Sequence, residues 1–242
     1  MIHIGPKDRV FVLTGAGISA ESGIQTFRDS DGLWKGIRFE EVATPEAWRR
    51  DPKMVWDFYS ARRNSVLTKK PNAAHKALAK LEEKIGDRLL ICTQNIDDLH
   101  EQAGSTRVVH MHGNLFQSRC DSCGRSPFED HKVYEDELPK CLACGATVRP
   151  HVCWLGEVPY QLDRLYRELE FCTIFVAVGT SGLVHPAAGF IAHAKLKGMV
   201  RTTCYVGSEE PANRILFNDV VLGPATEVVP GLFQYASGKG RP

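Results

Sequence analysis

No apolar run in this 242-residue chain approaches the roughly 20 residues needed to cross a bilayer as a helix. The opening residues, MIHIGPKDRV, have no apolar core of the kind an export signal requires. Charge of one sign is also missing: 30 Lys and Arg stand against 29 Asp and Glu, a formal net charge of +1. There is thus no global basic field to gather nucleic acid or an anionic membrane, which leaves only a local patch open. Repeats and low-complexity stretches are absent, which removes solenoids and long disordered tails. What remains is an ordinary globular composition, 43% hydrophobic and 24% charged, and a length that suits one large or two small domains.

Cysteine is not scarce. Eight in a chain without an export signal argue for reduced thiols rather than a disulfide framework. Four of them form two C-x2-C knuckles, Cys120 to Cys123 and Cys141 to Cys144, separated by 17 residues. That is the spacing of a zinc ribbon, and an all-cysteine tetrahedral site has no open position for chemistry, so the ion is expected to be structural. Cys92, Cys153, Cys172 and Cys204 lie in apolar runs and read as core residues.

Apolar runs of strand length occur at Val10 to Leu13, Arg88 to Thr93, within Cys172 to Gly182, at Thr202 to Gly207 and at Thr226 to Pro230. Helical patterns lie between them. In PNAAHKALAKLEEKIG, Asn72 reads as the N-cap, Ala74, Leu78 and Leu81 share a face, and Gly86 is the stop; HPAAGFIAHAKLKG starts near Pro186 and ends at Gly198. The alternation predicts an α/β fold with a mostly parallel sheet covered on both faces. Residues 36–70, largely helical, and 119–148, polar and punctuated by Cys, break the rhythm and are expected to form a smaller lobe against the sheet.

GAGISA, Gly15 to Ala20, fits a glycine turn after a first strand, where backbone approaches a pyrophosphate. The next residues, ESGIQTFRDSDGLW, are too polar for the second strand of an ordinary hydride-transferring dehydrogenase. TQNIDDLH follows a strand, so Gln94, Asn95 and Asp97 would sit at the sheet's carboxyl edge, as ribose or carboxamide contacts or as a helix cap. His110 and His112 in VVHMHGN are candidate bases.

Taken in order, GAGISAESGIQTFR, TQNIDDLH, HMHGN, the paired knuckles, RPHVCWLGE, VGTSGLVHPAAGF and GPA resemble the sirtuins, NAD-dependent protein deacylases, over roughly residues 8–232. The resemblance implies a Rossmann-like parallel-sheet large domain (1–35, 71–118 and 149–242) and a small domain made of a helical insertion (36–70) and a zinc ribbon (119–148). The cofactors it implies are NAD and one zinc ion held by Cys120, Cys123, Cys141 and Cys144. Gly15, Ala16, Gly17, Ala20 and Arg28 match the pyrophosphate and ribose loop, and Phe27 the shield over the reacting ribose carbon. Gln94, Asn95, Ile96 and Asp97 match the nicotinamide end; Gly179, Thr180, Ser181 and Ala225 match the adenosine side. His112 matches the general base, with Asn95 beside it, whereas His110 and His151 match no catalytic position.

The implied chemistry is displacement of nicotinamide by the substrate amide oxygen, followed by acyl transfer to ADP-ribose with His112 as base. Val152, Trp154, Gly156 and Glu157 belong to the segment that would pair with substrate backbone. Within the family, Ala43, Tyr59 and Arg62 resemble the class that removes acidic acyl groups. Thr44 with Pro45 and Asp51 with Pro52 read as successive helix starts, so Tyr59 and Arg62 share a face at i, i+3. Arg62 and Tyr59 would then hold the distal carboxylate of succinyl, malonyl or glutaryl lysine. A general deacetylase or mono-ADP-ribosyltransferase is the alternative, and a nonenzymatic zinc-ribbon module is disfavoured by the charge balance. Departures from the family pattern are Gln25, Cys153, Leu155, His185 and Gly207. The expected partners are acyl-lysine proteins, with neither membrane nor specific nucleic acid, for a monomer in the cytoplasm or, alternatively, the mitochondrion.

Overall fold

The computed structural model describes residues 1–25, 33–34, 37–135 and 137–235. Six strands, all parallel, form the main sheet in the order Asp219–Leu222, Thr202–Gly207, Ile174–Val178, Val10–Thr14, Leu89–Thr93 and Val108–His110. Every residue of the three central strands is buried, the pattern of strands covered on both faces. Alternation assigns the faces. Val10, Val12, Leu89, Ile91, Ile174 and Val176 pack against the Ala73–Ile85 helix through Ala74, Leu78 and Leu81. Phe11, Leu13, Leu90, Cys92, Phe175 and Ala177 pack on the other side with Leu165, Leu169, Phe190 and Ile191 of the Leu162–Phe171 and Phe190–Lys197 helices.

From Val10–Thr14 the chain builds outward through Leu89–Thr93 and Val108–His110. From the adjacent Ile174–Val178 it builds the other way, through Thr202–Gly207 and Asp219–Leu222. The two connections therefore leave the centre in opposite directions, opening a crevice at the carboxyl ends of those neighbouring strands.

The Thr226 to Pro230 run, expected as a strand, is instead the Ala225–Val228 helix continued by a 3-10 turn over Val229–Gly231. Its side chains join the cluster on the Ala73–Ile85 helix. The Thr226 N–H and hydroxyl go to the Glu21 carboxylate, at 3.1 and 2.7 Å, and Pro230 has no N–H for a ladder. The sixth strand, Asp219–Leu222, is a short, half-exposed edge.

The smaller lobe holds a three-stranded antiparallel sheet, Phe128–Glu129, Gly113–Cys120 and Val148–Val152, and two helices, Pro45–Arg50 and Pro52–Leu67. The helix starts lie where the sequence marks them: Thr44 accepts the Ala47 N–H at 3.1 Å and Asp51 the Met54 N–H at 3.0 Å. Its core is aromatic, with Trp48, Trp56, Phe58, Tyr59, Phe116 and Trp154 all buried. Buried Arg63 ties helix to sheet, donating to the Leu115 carbonyl at 2.8 Å and the Ser118 hydroxyl at 3.0 Å, with the Asp130 carboxylate at 3.2 Å. Among the described residues, no helix is long and apolar enough to cross a membrane.

Candidate functional site

At the crevice the two glycine turns lock together. The Gly15 N–H donates to the Val178 carbonyl at 3.0 Å and the Gly17 N–H to the Gly179 carbonyl at 2.9 Å. A Cβ on Gly15 would lie 2.7 Å from the Gly179 oxygen, and one on Gly17 would lie 2.7 Å from the Gly179 Cα. Only glycine lets these backbones meet, and the meeting leaves a smooth main-chain cradle beside the short helix that opens at Ala16 and ends at Ala20. That cradle suits a dinucleotide's pyrophosphate. Thr180 and Ser181 continue the second turn, and the Tyr205 hydroxyl donates to the Thr180 carbonyl at 2.9 Å. The same ring explains Gly207, because a Cβ there would come within 2.4 Å of the Tyr205 hydroxyl oxygen. Ala225, buried, starts its helix nearby. Gln94, Thr180, Gly182, Ala188 and Asn213 share the lining of a narrow crevice, and the Asn213 Oδ1 there is a buried oxygen with no hydrogen-bond partner among the described residues. An orphaned acceptor of that kind is satisfied by a bound polar group or water.

The loop after Leu89–Thr93 carries the polar cluster. The Asn95 amide donates to the Gly15 carbonyl and the Ser19 hydroxyl, both at 3.1 Å, which joins this loop to the glycine turn. Ile96 lends its carbonyl to the Leu115 N–H at 2.7 Å, which ties the loop to the smaller lobe. Asp97 is buried; desolvation raises its carboxyl pKa, opposed by hydrogen bonds from the Leu99 N–H and the Ser19 hydroxyl. Beneath them lie groups that sequence reasoning missed: Ser19 is within 3.4 Å of His75, and the His75 ring meets His100, itself 3.0 Å from the Thr14 hydroxyl. The available cue was His75 on the apolar face of a helix.

His110 and His112 use adjacent carbonyls. His110 Nδ1 donates to the Asn95 carbonyl and His112 Nδ1 to the Gln94 carbonyl, each at 3.0 Å. A carbonyl only accepts, so both rings carry a proton on Nδ1. Their Nε2 atoms differ. His110 Nε2 lies 2.8 Å from Glu101, and although burial pulls its pKa down, the Glu101 hydrogen bond and charge bring it above the usual histidine value. Burial pushes the pKa of His112 down, only partly offset by the Gln94 carbonyl. His112 is therefore the neutral imidazole, with a lone pair on Nε2 for proton transfer.

The four knuckle cysteines bring one Sγ each within 4.8 Å of one another. Cys120 and Cys144 are 3.5 Å apart, Cys123 and Cys141 3.7 Å. A tetrahedron with Zn–S near 2.3 Å has edges of about 3.8 Å, so the donor set is positioned to bind a zinc ion and fills its coordination sphere. The N–H groups of Cys123 and Ser122 point at Cys120 Sγ and lower its pKa to about 6.

In the core of the smaller lobe, Tyr59 is fully buried and accepts the Trp154 indole N–H at 3.0 Å. Burial raises its pKa to about 12 against the opposing Arg62 charge. Arg62 lies one helical turn on, its guanidinium 5.8 Å from the Phe58 ring; burial lowers its pKa, while Tyr59 and Asp97 favour the cation. Ala43 is buried and its carbonyl accepts the Leu155 N–H at 3.0 Å. Val152 and Trp154 point into the lobe core, whereas Gly156 turns at the surface with φ +86°. The Glu157 carboxylate is engaged by Arg149 at 2.8 and 3.0 Å and by the Trp154 N–H at 2.8 Å. Cys153 is half-buried rather than a core residue. Phe27 and Arg28 lie outside the described residues.

The model of the Sir2 family matches residues 15–186. A protein named NAD-dependent protein deacylase from Caulobacter vibrioides is 49% identical over 92% of this chain and 94% of its own length. One of the same name from Escherichia coli strain K12 is 50% identical over 93% of this chain and 80% of its own. Among solved structures, a Sir2 homolog–NAD complex is 40% identical with a TM-score of 0.84, covering 93% of this chain and 88% of that one. Sir2 bound to acetylated peptide is 27% identical with a TM-score of 0.78, covering 90% and 89%.

Proposed function

This chain belongs to the Sir2 family and is an NAD-dependent protein deacylase, and from that premise we propose that it removes acidic acyl groups from protein lysines. Succinyl and malonyl are the intended cargo, with glutaryl accommodated and acetyl turned over more weakly; the products are nicotinamide and O-acyl-ADP-ribose. The observation that carries this reading is the fully buried Tyr59 with the half-buried Arg62 one turn on, in a helix whose core face shares a cluster with the small side chain of Ala43. A cation there is desolvated. It gains most from a ligand that brings its own negative charge.

NAD supplies, when bound, the electrophilic ribose carbon and the nicotinamide leaving group. Gly15, Ala16, Gly17, Ala20 and Arg28 would hold its pyrophosphate and ribose; Gly179, Thr180, Ser181 and Ala225 its adenosine side. Gln94, Asn95, Ile96 and Asp97 would line the nicotinamide end, with Phe27 shielding the reacting carbon. His112 Nε2 takes a proton from a ribose hydroxyl, which its lowered pKa permits at neutral pH. The turn from Val152 to Glu157 lies beside Ala43 and would present its backbone to the substrate chain, a mode that reads little sequence. Such an enzyme acts as a cytoplasmic monomer on many acylated proteins, with no need of nucleic acid or membrane.

The test compares kcat/KM for succinyl-lysine and acetyl-lysine versions of one peptide with NAD. Charge-assisted hydrogen bonds of about 1.5 to 3 kcal/mol predict roughly a tenfold to hundredfold preference for succinyl. Equal rates, or an acetyl preference, would contradict the proposal and leave a general deacetylase.

A further inference from the structure

Trp154 belongs to no feature that either cofactor or zinc requires, yet it is held from every side. Its ring is 2% exposed and lies under the Arg149 guanidinium, whose carbon is 3.3 Å from the ring centroid. Arg149 grips the Glu157 carboxylate through two nitrogens, and that carboxylate in turn accepts the Trp154 backbone N–H at 2.8 Å. A second Arg149 contact, to the Val152 carbonyl at 3.1 Å, closes the turn, and the Trp48 ring stands 5.8 Å away on the other side. Backbone and ring are both fixed, and the indole N–H is aimed at the Tyr59 hydroxyl, 3.0 Å distant.

An indole N–H can only donate, so in this bond the Tyr59 oxygen is the acceptor. Among the described residues this is the one hydrogen bond of that hydroxyl. Its own proton must then point away from the indole. Arg62, the charged side chain that acts most strongly on Tyr59, is also donor only and cannot receive it. The hydroxyl proton is therefore left for an acceptor other than Arg62, and a carboxylate, which has no proton of its own to offer, is such an acceptor.

We propose that Trp154 is a positioning residue for acyl selectivity, which by occupying the acceptor side of the Tyr59 hydroxyl commits that hydroxyl to donate to an acidic acyl chain. The inference rests on the acidic-acyl reading above and adds a residue that never touches the acyl group. Glu157 takes a new role with it, as the anchor of the Arg149–Trp154 stack.

The experiment measures kcat and KM on succinyl and acetyl peptides for the parent, Tyr59→Phe, Trp154→Phe and the double variant. Trp154→Phe keeps an aromatic ring and removes the donor. The succinyl-to-acetyl ratio of kcat/KM is expected to fall about threefold to tenfold, mainly through the succinyl KM, as loss of one positioned hydrogen bond implies. In the double variant the ratio should be that of Tyr59→Phe alone, because the indole acts only through the hydroxyl. If Trp154→Phe fails to fold, site-specific benzothienylalanine at 154 replaces the N–H by sulfur with the shape kept, and the same ratio decides.

A parental ratio in the Trp154 variants, with a lowered one in Tyr59→Phe, would overturn this inference and leave the acidic-acyl reading standing. Additive losses in the double variant would also overturn it. A parental ratio in Tyr59→Phe would remove the hydroxyl from acyl reading, and the role of Trp154 with it.

Discussion

His110 and His112 donate from Nδ1 to neighbouring carbonyls, and what separates them is Glu101, 2.8 Å from His110 Nε2. The sequence places two histidines around Met111 and the sirtuin resemblance selects His112. Which ring is neutral is not legible there, because Glu101 and Gln94 reach the pair only through the fold. The assignment makes a signed prediction. A base with lowered pKa stays deprotonated to lower pH, so the acid limb of kcat/KM is expected below the ordinary histidine value of about 6.5. His112→Ala should lower kcat/KM by about 10²- to 10⁴-fold. A pH profile whose acid limb lies above the ordinary value, or a near-parental alanine variant, would contradict the assignment. At this scale Gly207, a departure from the family pattern, has a local counterpart in the structure: a Cβ there would come within 2.4 Å of the Tyr205 hydroxyl oxygen.

The Pro52–Leu67 helix carries adjacent arginines in different surroundings. Its start was legible, since Asp51 and Pro52 are local signals and the cap is a local hydrogen bond. Arg62 is drawn from the same local spacing. Arg63 is not, because its partners, Leu115, Ser118 and Asp130, lie more than fifty residues on. Removing one member of a buried ion pair strands the other, so Arg63→Met is expected to cost about 3 to 5 kcal/mol in urea unfolding. An unchanged midpoint would mean that the Asp130 carboxylate finds another partner. The Thr226 to Pro230 run marks the limit of pattern reading at this level. A short apolar stretch fits strand or helix alike, and here Pro230, with the Glu21 contact to Thr226, tips it to helix.

Across the whole molecule, the alternation of buried runs with amphipathic helices announced the parallel sheet, since burial on both faces leaves a plain composition signal. The order of strands, and so the crevice between Val10–Thr14 and Ile174–Val178, depends on connections that no local pattern encodes. The smaller lobe is where the sequence is most specific, through its four cysteines, and also where substrate choice would be made. The Ile96–Leu115 backbone bond joins the two lobes. Cofactor and acyl chain would thus be read by different lobes facing one another. That division predicts that acyl preference can be changed while NAD dependence is kept.

The measurement that bears most directly on the account is therefore the succinyl-to-acetyl ratio of kcat/KM in Arg62→Met, set against that of the natural sequence, at saturating NAD. A ratio that falls at least tenfold toward unity is the predicted result. A ratio unchanged by the substitution would contradict it and return Arg62 to an ordinary lobe residue.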